Sequence, residues 1–327
     1  MIITRRDVIA RAAAACAAAT LLTWNAAYAQ QAWPAKAIKL VNAGPPGSPP
    51  DTYGRIYAER LSKSLGVPVV IDNRPGVGGN LASDAVSKAP ADGYTLLYNV
   101  SNTFTVNLHV YSKLPFNPQK DFRPVAPLIS QGLFIVVNND LPVKSVKELV
   151  AYAKQNPGKL AYGSYGTAGF PHLFMELFNQ SAGVEMLHIP YKAAPTIDVI
   201  SGQIQLLAEP AASAIPMIRS GKLRAIAFTG ARRNPLFPDI PTVAETYPQV
   251  AVSGWHGIWA PAGVPSEIVQ RLSAEITRIT QSPEMQKQIV EMGSEPMVAT
   301  PDAMASMVRA EAKLWGDLVK TKHITLD

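Results

Sequence analysis

Apolar residues recur along this chain in two alternating rhythms. Short apolar runs at 38–41, 67–72, 95–99, 133–137, 188–191, 204–208 and 224–229 read as strands, mostly bounded by Gly, Pro or polar turns. Between them lie stretches with apolar residues at helical spacing. Over 51–65, Ile56, Leu61 and Leu65 fall on one face, and Gly66 closes the pattern. Helices are predicted likewise at 81–88, 172–182, 197–200 and 213–220. A further helix at 142–156 is capped by Ser145, with Glu148 three residues on as a capping box. Three helices at 265–280, 283–292 and 301–322 close the chain without strands of their own.

This alternation predicts an α/β fold of two lobes, each a mainly parallel sheet flanked by helices, with a ligand cleft between them. Two crossings between lobes are expected. One lies near 128–138, where the strand at 133–137 has no short return; the other lies near 253–261. The first lobe is therefore discontinuous, residues 30–134 with 254–327, and the second spans 135–253.

Two glycine-rich turns stand between a short apolar run and a helix, one in each lobe. The first is Gly44-Pro45-Pro46-Gly47-Ser48-Pro49-Pro50-Asp51, and the second is Gly163-Ser164-Tyr165-Gly166-Thr167-Ala168-Gly169. Such turns clear side chains away and aim the unpaired N–H groups of a helix N-terminus at one point. Two of them facing each other make jaws suited to capturing a small carboxylate.

Composition refines this picture. At 327 residues, with 47% hydrophobic and 17% charged residues, the chain is long enough for two globular domains. The segment 1–29 reads as an export leader: Arg5-Arg6 in a twin-arginine-like start, an Ala-rich stretch, and Ala27-Tyr28-Ala29 as the cleavage site. Export to the periplasm follows, and Arg11 makes the stretch too short and polar to span a bilayer. The single cysteine, Cys16, falls within the leader, so the mature chain carries neither disulfides nor a Cys-bound metal. The net charge of +6 suits an anionic ligand, but the bases are scattered and form no nucleic-acid patch. No cofactor is called for, since the five histidines show no metal-ligand spacing.

Several strings then occur in a recognisable order. They include Asp72-Asn73-Arg74-Pro75-Gly76-x-Gly78-Gly79-Asn80, Asp92-Gly93-Tyr94-Thr95-Leu96-Leu97 and Leu114-Pro115-Phe116-x-Pro118-x-x-Asp121-Phe122. Further on come Pro190-Tyr191-Lys192, Gly221-Lys222-Leu223-Arg224-Ala225, Pro238-Asp239-Ile240-Pro241-Thr242 and Ala260-Pro261-Ala262-Gly263-Val264-Pro265. From Trp33 to the C-terminus the chain resembles the periplasmic Bug-type receptors of tripartite tricarboxylate transporters. The resemblance implies a monomeric two-lobed receptor that closes on an organic acid held by backbone groups and waters, then meets membrane permease subunits.

Residue by residue, the resemblance and the turn chemistry nominate Gly47 and Ser48 in the first loop, although Pro49 and Pro50 remove two donors there. In the second loop they nominate Gly163, Ser164, Gly166, Thr167 and Ala168. His172, one turn into the following helix, is either a ligand contact or a structural partner. Thr103 follows a strand end where α/β ligands gather. Glu209 either meets an ammonium group or water, or anchors a neighbouring amide. Asp51 reads instead as a helix cap that orients Arg55, and Arg74 as a brace of its own turn. Tyr165 and Phe170 either narrow the pocket, offer a stacking surface to the ring of an aromatic acid, or pack between lobes. Two other readings stay open, an exported hydrolase and a sensor without transport. The hydrolase lacks a Gly-x-Ser-x-Gly elbow, because Tyr162 stands where the first glycine belongs.

Overall fold

The computed structural model describes residues 33–192 and 194–326; the leader assigned to 1–29 lies outside them. Among the described residues eleven strands form two sheets. The first contains β1 (Ile38–Asn42), β2 (Val69–Asn73), β3 (Thr95–Val100), β4 (Phe122–Gln131), β10 (Gly254–Pro261) and β11 (Glu295–Pro296), in the order β11-β4-β10-β3-β1-β2. The second contains β5 (Leu133–Val137), β6 (Ala161–Ser164), β7 (Leu187–Pro190), β8 (Leu206–Pro210) and β9 (Arg224–Phe228), in the order β7-β6-β8-β5-β9. The two-sheet α/β architecture thus agrees with the hydrophobic pattern.

Strand direction within the sheets is mixed. The β1–β2, β1–β3, β6–β7 and β6–β8 pairs are parallel, while β10 runs antiparallel to both β3 and β4, and β5 antiparallel to both β8 and β9. Parallel neighbours need a crossover, usually helical, whereas these strands enter from the opposite sheet. The chain leaves β4 at Gln131, passes Gly132 and enters β5 at Leu133. All five residues of β5 are buried, which accounts for its unbroken apolar run. The C-terminal region also contributes a strand, the two-residue β11 against β4. It carries too few residues to show a period.

Helix ends follow local chemistry. Helix α1 (Pro49–Leu65) starts with two prolines, where a missing N–H costs nothing, and ends at Gly66 with φ 72°. Its buried face carries Tyr53, Tyr57, Leu61 and Leu65. Helix α2 (Asn80–Ser87) follows β2, and the short helices α3 (Asn102–Thr105) and α4 (Asn107–Val110) follow β3. In α5 (Val146–Gln155), Ser145 caps as expected by accepting from the Glu148 N–H at 3.2 Å. The Glu148 carboxylate, however, accepts from Lys144 N–H at 2.7 Å, one residue before the cap.

The second sheet carries α6 (Phe170–Ala182), α7 (Thr196–Ile200) and α8 (Ala211–Arg219); α9 (Ser266–Gln281), α10 (Pro283–Glu291) and α11 (Pro301–Thr321) complete the chain. Helix α9 joins Val269, Leu272 and Ile276 to the α1 core. Helix α11 reaches both halves of the molecule. Met304 and Val308 enter the cluster around Phe104 and Trp259, while Trp315, Leu318 and Val319 enter the core containing Leu173, Phe174 and Phe178.

Candidate functional site

The second glycine-rich loop leaves β6 at Ser164 and enters α6 at Phe170. Gly166 adopts φ 112° and Ala168 φ 60°, both in the left-handed region, so the chain turns sharply before it enters the helix. Helix α6 has no acidic residue in its first turn, which leaves the positive end of its dipole unbalanced. Among the described residues, the Thr167 N–H and hydroxyl and the Gly169 N–H have no hydrogen-bond partner, and both residues are partly exposed. These groups meet the requirement for gripping an anion.

The remaining groups of the loop are committed to holding it. Ser164 is fully buried; its hydroxyl oxygen lies 2.7 Å from His188 Nε2 and 3.0 Å from the Gly166 carbonyl oxygen. The Gly166 N–H in turn donates to Ser164 Oγ at 3.3 Å. Ala168 N–H donates to His172 Nδ1 at 3.0 Å. His172 is therefore a buried structural partner, the second of the two roles open to it from sequence. Gly163 is buried inside β6, where an added Cβ would meet Pro195 and Ile204 at 2.7 Å.

His172 and His188 stack at 3.7 Å between ring centroids, and Tyr162 stacks on His188 at 5.1 Å. Burial and the facing His188 hold His172 down to about 4, and burial lowers His188 as well. Both rings are neutral at physiological pH. Tyr162 donates to Glu176, which pairs with Lys322 at 3.0 Å. The core behind the loop is thus polar and largely satisfied.

Glu209 is also fully buried. Tyr165 donates to its Oε1 at 2.6 Å and Thr196 to its Oε2 at 3.4 Å, and burial raises its pKa. Its carboxylate anchors the Tyr165 ring, which lies at the exposed edge of the loop. Tyr191 donates to Asp198 at 2.7 Å, closing the adjoining wall.

The first loop behaves differently. Gly47 N–H donates to Asp51 Oδ2 at 2.9 Å, and the Ser48 N–H and hydroxyl both donate to the Pro45 carbonyl, at 3.1 and 2.6 Å. The donors expected at Gly47 and Ser48 are turned inward because Asp51 and Pro45 take them. Asp51 also accepts from Asn73 at 2.8 Å and Arg55 at 3.0 Å, so it orients Arg55 as expected, but it caps no N–H of the helix: the Gly47 N–H it holds lies before α1, and the N-cap Ser48 makes no side-chain cap bond. Desolvation opposes ionisation of Asp51, yet these bonds to Arg55, Gly47 and Asn73 hold its pKa below the usual value. Arg74 pairs with Asp72 at 3.1 Å and braces its own turn. Beside this loop a cavity of about 370 Å³ lies between Gly47, Pro49 and Tyr53 on one side and Ala212 and Ile215 on the other.

Thr103, expected at the cleft, is buried and donates to the Gly78 carbonyl at 2.8 Å. Its neighbour Asn102 reaches the second loop, donating from Nδ2 to the Ala168 carbonyl at 3.0 Å. This bond joins α3, which follows β3 of the first sheet, to the loop of the second. Neither Asn102 nor His188 carries a signal in sequence, since their partners lie 66 and 24 residues away. Among the described residues no group of three His, Cys, Asp or Glu is placed to hold a metal, and no helix is long and apolar enough to cross a membrane.

Two mixed sheets exchanging strands at two crossings, with an amide-lined loop at a helix N-terminus between them, define the class of two-lobed solute-binding proteins. The chain belongs to the family described as the tripartite tricarboxylate transporter family receptor, whose sequence pattern matches residues 54–324. It is 34% identical over 292 residues to protein BugT of Bordetella pertussis, covering 88% of this chain and 90% of BugT. Rpa4515 of R. palustris, solved with adipate, is 35% identical with a TM-score of 0.77, covering 90% of this chain and 99% of that one. MatC of Rhodopseudomonas palustris, solved with bound malate, is 28% identical with a TM-score of 0.72, covering 88% of this chain and all of that one.

Proposed function

We propose that this protein is a periplasmic receptor that captures a small organic carboxylate between two lobes and presents it to a tripartite permease. The first lobe comprises residues 30–134 and 254–327, the second 135–253, and the receptor acts as a monomer. The observation that carries the reading is the unengaged N–H and hydroxyl of Thr167 at the N-terminus of α6. The adipate and malate bound to Rpa4515 and MatC support the carboxylate class. The carboxylate docks on the second loop, and lobe closure completes the site. Closure follows binding only because the acid contacts both lobes in the closed form alone.

One observation favours a hydrolase, the 2.7 Å approach of Ser164 Oγ to His188 Nε2. Ser164 is fully buried, however, and its oxygen is also engaged by Gly166 on both sides, so no substrate carbonyl reaches it. The test is a thermal-shift screen against mono-, di- and tricarboxylates. At 100 times Kd a true ligand adds about 2.7 kcal/mol and raises Tm by about 5 °C. No shift with any acid, together with turnover of a small ester or amide, would replace the receptor by the enzyme.

A further inference from the structure

The second loop is held at both ends by one device. At its start, three contacts converge on Ser164 Oγ: His188 Nε2 at 2.7 Å, the Gly166 carbonyl at 3.0 Å and the Gly166 N–H at 3.3 Å. The Gly166 carbonyl can only accept, so it takes the hydroxyl proton. The Gly166 N–H can only donate. All three contacts are satisfied together when His188 Nε2 carries a proton and donates to the oxygen. At the loop's end, Ala168 N–H donates to His172 Nδ1, which must then be unprotonated. His172 is therefore a neutral Nε2–H tautomer, while His188 carries a proton on Nε2 and burial disfavours a second one on Nδ1; the rings stack at 3.7 Å with Tyr162 against His188.

We propose that His172 and His188 are positioning residues that hold the loop 164–168 in its anion-gripping shape through this stacked, neutral pair. Neither ring touches the acid. Each fixes one end of the loop, so that the Thr167 N–H and hydroxyl stay free. The groups facing the pair are Tyr162 on β6, Glu176 on α6 and Lys322 just beyond α11. Glu176 favours a charged ring, but its carboxylate is already engaged by Tyr162 and Lys322. Two cations 3.7 Å apart would repel, which keeps the pair from being charged together. The inference rests on the carboxylate reading for what the loop grips, but not for how the rings are held.

The experiment has a ligand-free arm and a binding arm. Ring ¹⁵N spectra of the unliganded protein, with the two rings identified through single variants, report protonation at each nitrogen. At about pH 6, where an ordinary imidazole is mostly charged, His172 should be neutral with Nδ1 unprotonated, and His188 should hold its proton on Nε2 and titrate below an ordinary imidazole. Calorimetry with adipate and with malate then compares wild type, His188→Leu and His188→Gln. Loss of the oriented donor in His188→Leu should weaken binding about tenfold. His188→Gln, whose amide N–H can reach Ser164, should recover most of that loss. A proton on His172 Nδ1, ordinary titration of both rings, or wild-type affinity in His188→Leu would overturn the proposal. If wild type binds no acid at all, the carboxylate reading fails while the ring spectra still decide the tautomers. If His188→Leu does not fold, His188→Gln and the spectra carry the test.

Discussion

The crossing from β4 to β5 packs its glycine against one phenyl ring, and Gly132→Ala tests what that contact contributes. Gly132 lies between β4 and β5, and Gly230 lies just after β9. A Cβ on Gly132 would stand 2.1 Å from Phe228 Cζ and 2.5 Å from Cε2, and a Cβ on Gly230 would stand 2.3 Å from Phe228 Cε1. Real Cβ contacts this close do not occur, so the ring must move by more than an ångström. It has little room, because Phe228 is buried and packs on Phe134 at 4.9 Å between centroids. Overpacking of this kind costs about 1–3 kcal/mol, or about 2–5 °C in Tm at this chain length. Differential scanning calorimetry should show that loss in Gly132→Ala. In a Phe228→Leu background the same alanine should cost much less, giving a coupling of about 1 kcal/mol or more. A Gly132→Ala protein that melts like wild type, or an equal loss in both backgrounds, would refute the picture of a ring seated against two glycines.

Two further outcomes follow from named contacts. Asn102→Ala removes the donor to the Ala168 carbonyl, and Ala168 is a buried residue. Calorimetric Kd for an acid that shifts Tm should rise about fivefold to tenfold, and an unchanged Kd would show that the bond does not support closure. Glu311 accepts from Trp255 Nε1 at 2.8 Å, and burial pushes its carboxyl up to about 7. The folded state thus holds this proton more tightly than the unfolded chain, so ionisation destabilises the fold as pH rises from the unfolded value towards 7. Glu311→Gln should therefore gain on the order of 2–3 kcal/mol relative to wild type at pH 8 and little near pH 4; an equal effect at both pH values would contradict the assignment.

Much of the fold was legible because periodicity reports burial directly. The runs at 38–41, 133–137 and 224–229 and the spacing of Ile56, Leu61 and Leu65 mark elements within a few residues of their observed ends. Strand direction was not legible. An apolar run such as β5 has the same composition whether its neighbours run parallel or antiparallel, and only the strand's entry from the other sheet fixes the choice. The capping box at Ser145 illustrates the same limit on a smaller scale: the cap forms, but Glu148 finds the N–H one residue earlier.

At the site, residue type identified the loop but not which of its atoms remain free. Ser164, Thr167 and His172 all looked like donors or contacts. Ser164 and His172 turn inward because His188 and Ala168 happen to meet them, and those partnerships depend on strand register and helix rotation. Thr103 and Asn102 differ by one position, about 100° around a helical turn, which sends one hydroxyl into the core and the other side chain to the loop.

The central claim is that the loop between β6 and α6 grips a carboxylate. It is tested most directly by calorimetric titration of wild type and the Ser164→Ala/Thr167→Ala double variant with the acid giving the largest thermal shift. The variant loses the Ser164 brace and the Thr167 hydroxyl together, so its affinity should fall by about tenfold or more while its fold persists. Wild-type affinity in a folded double variant would place the acid elsewhere and contradict the account.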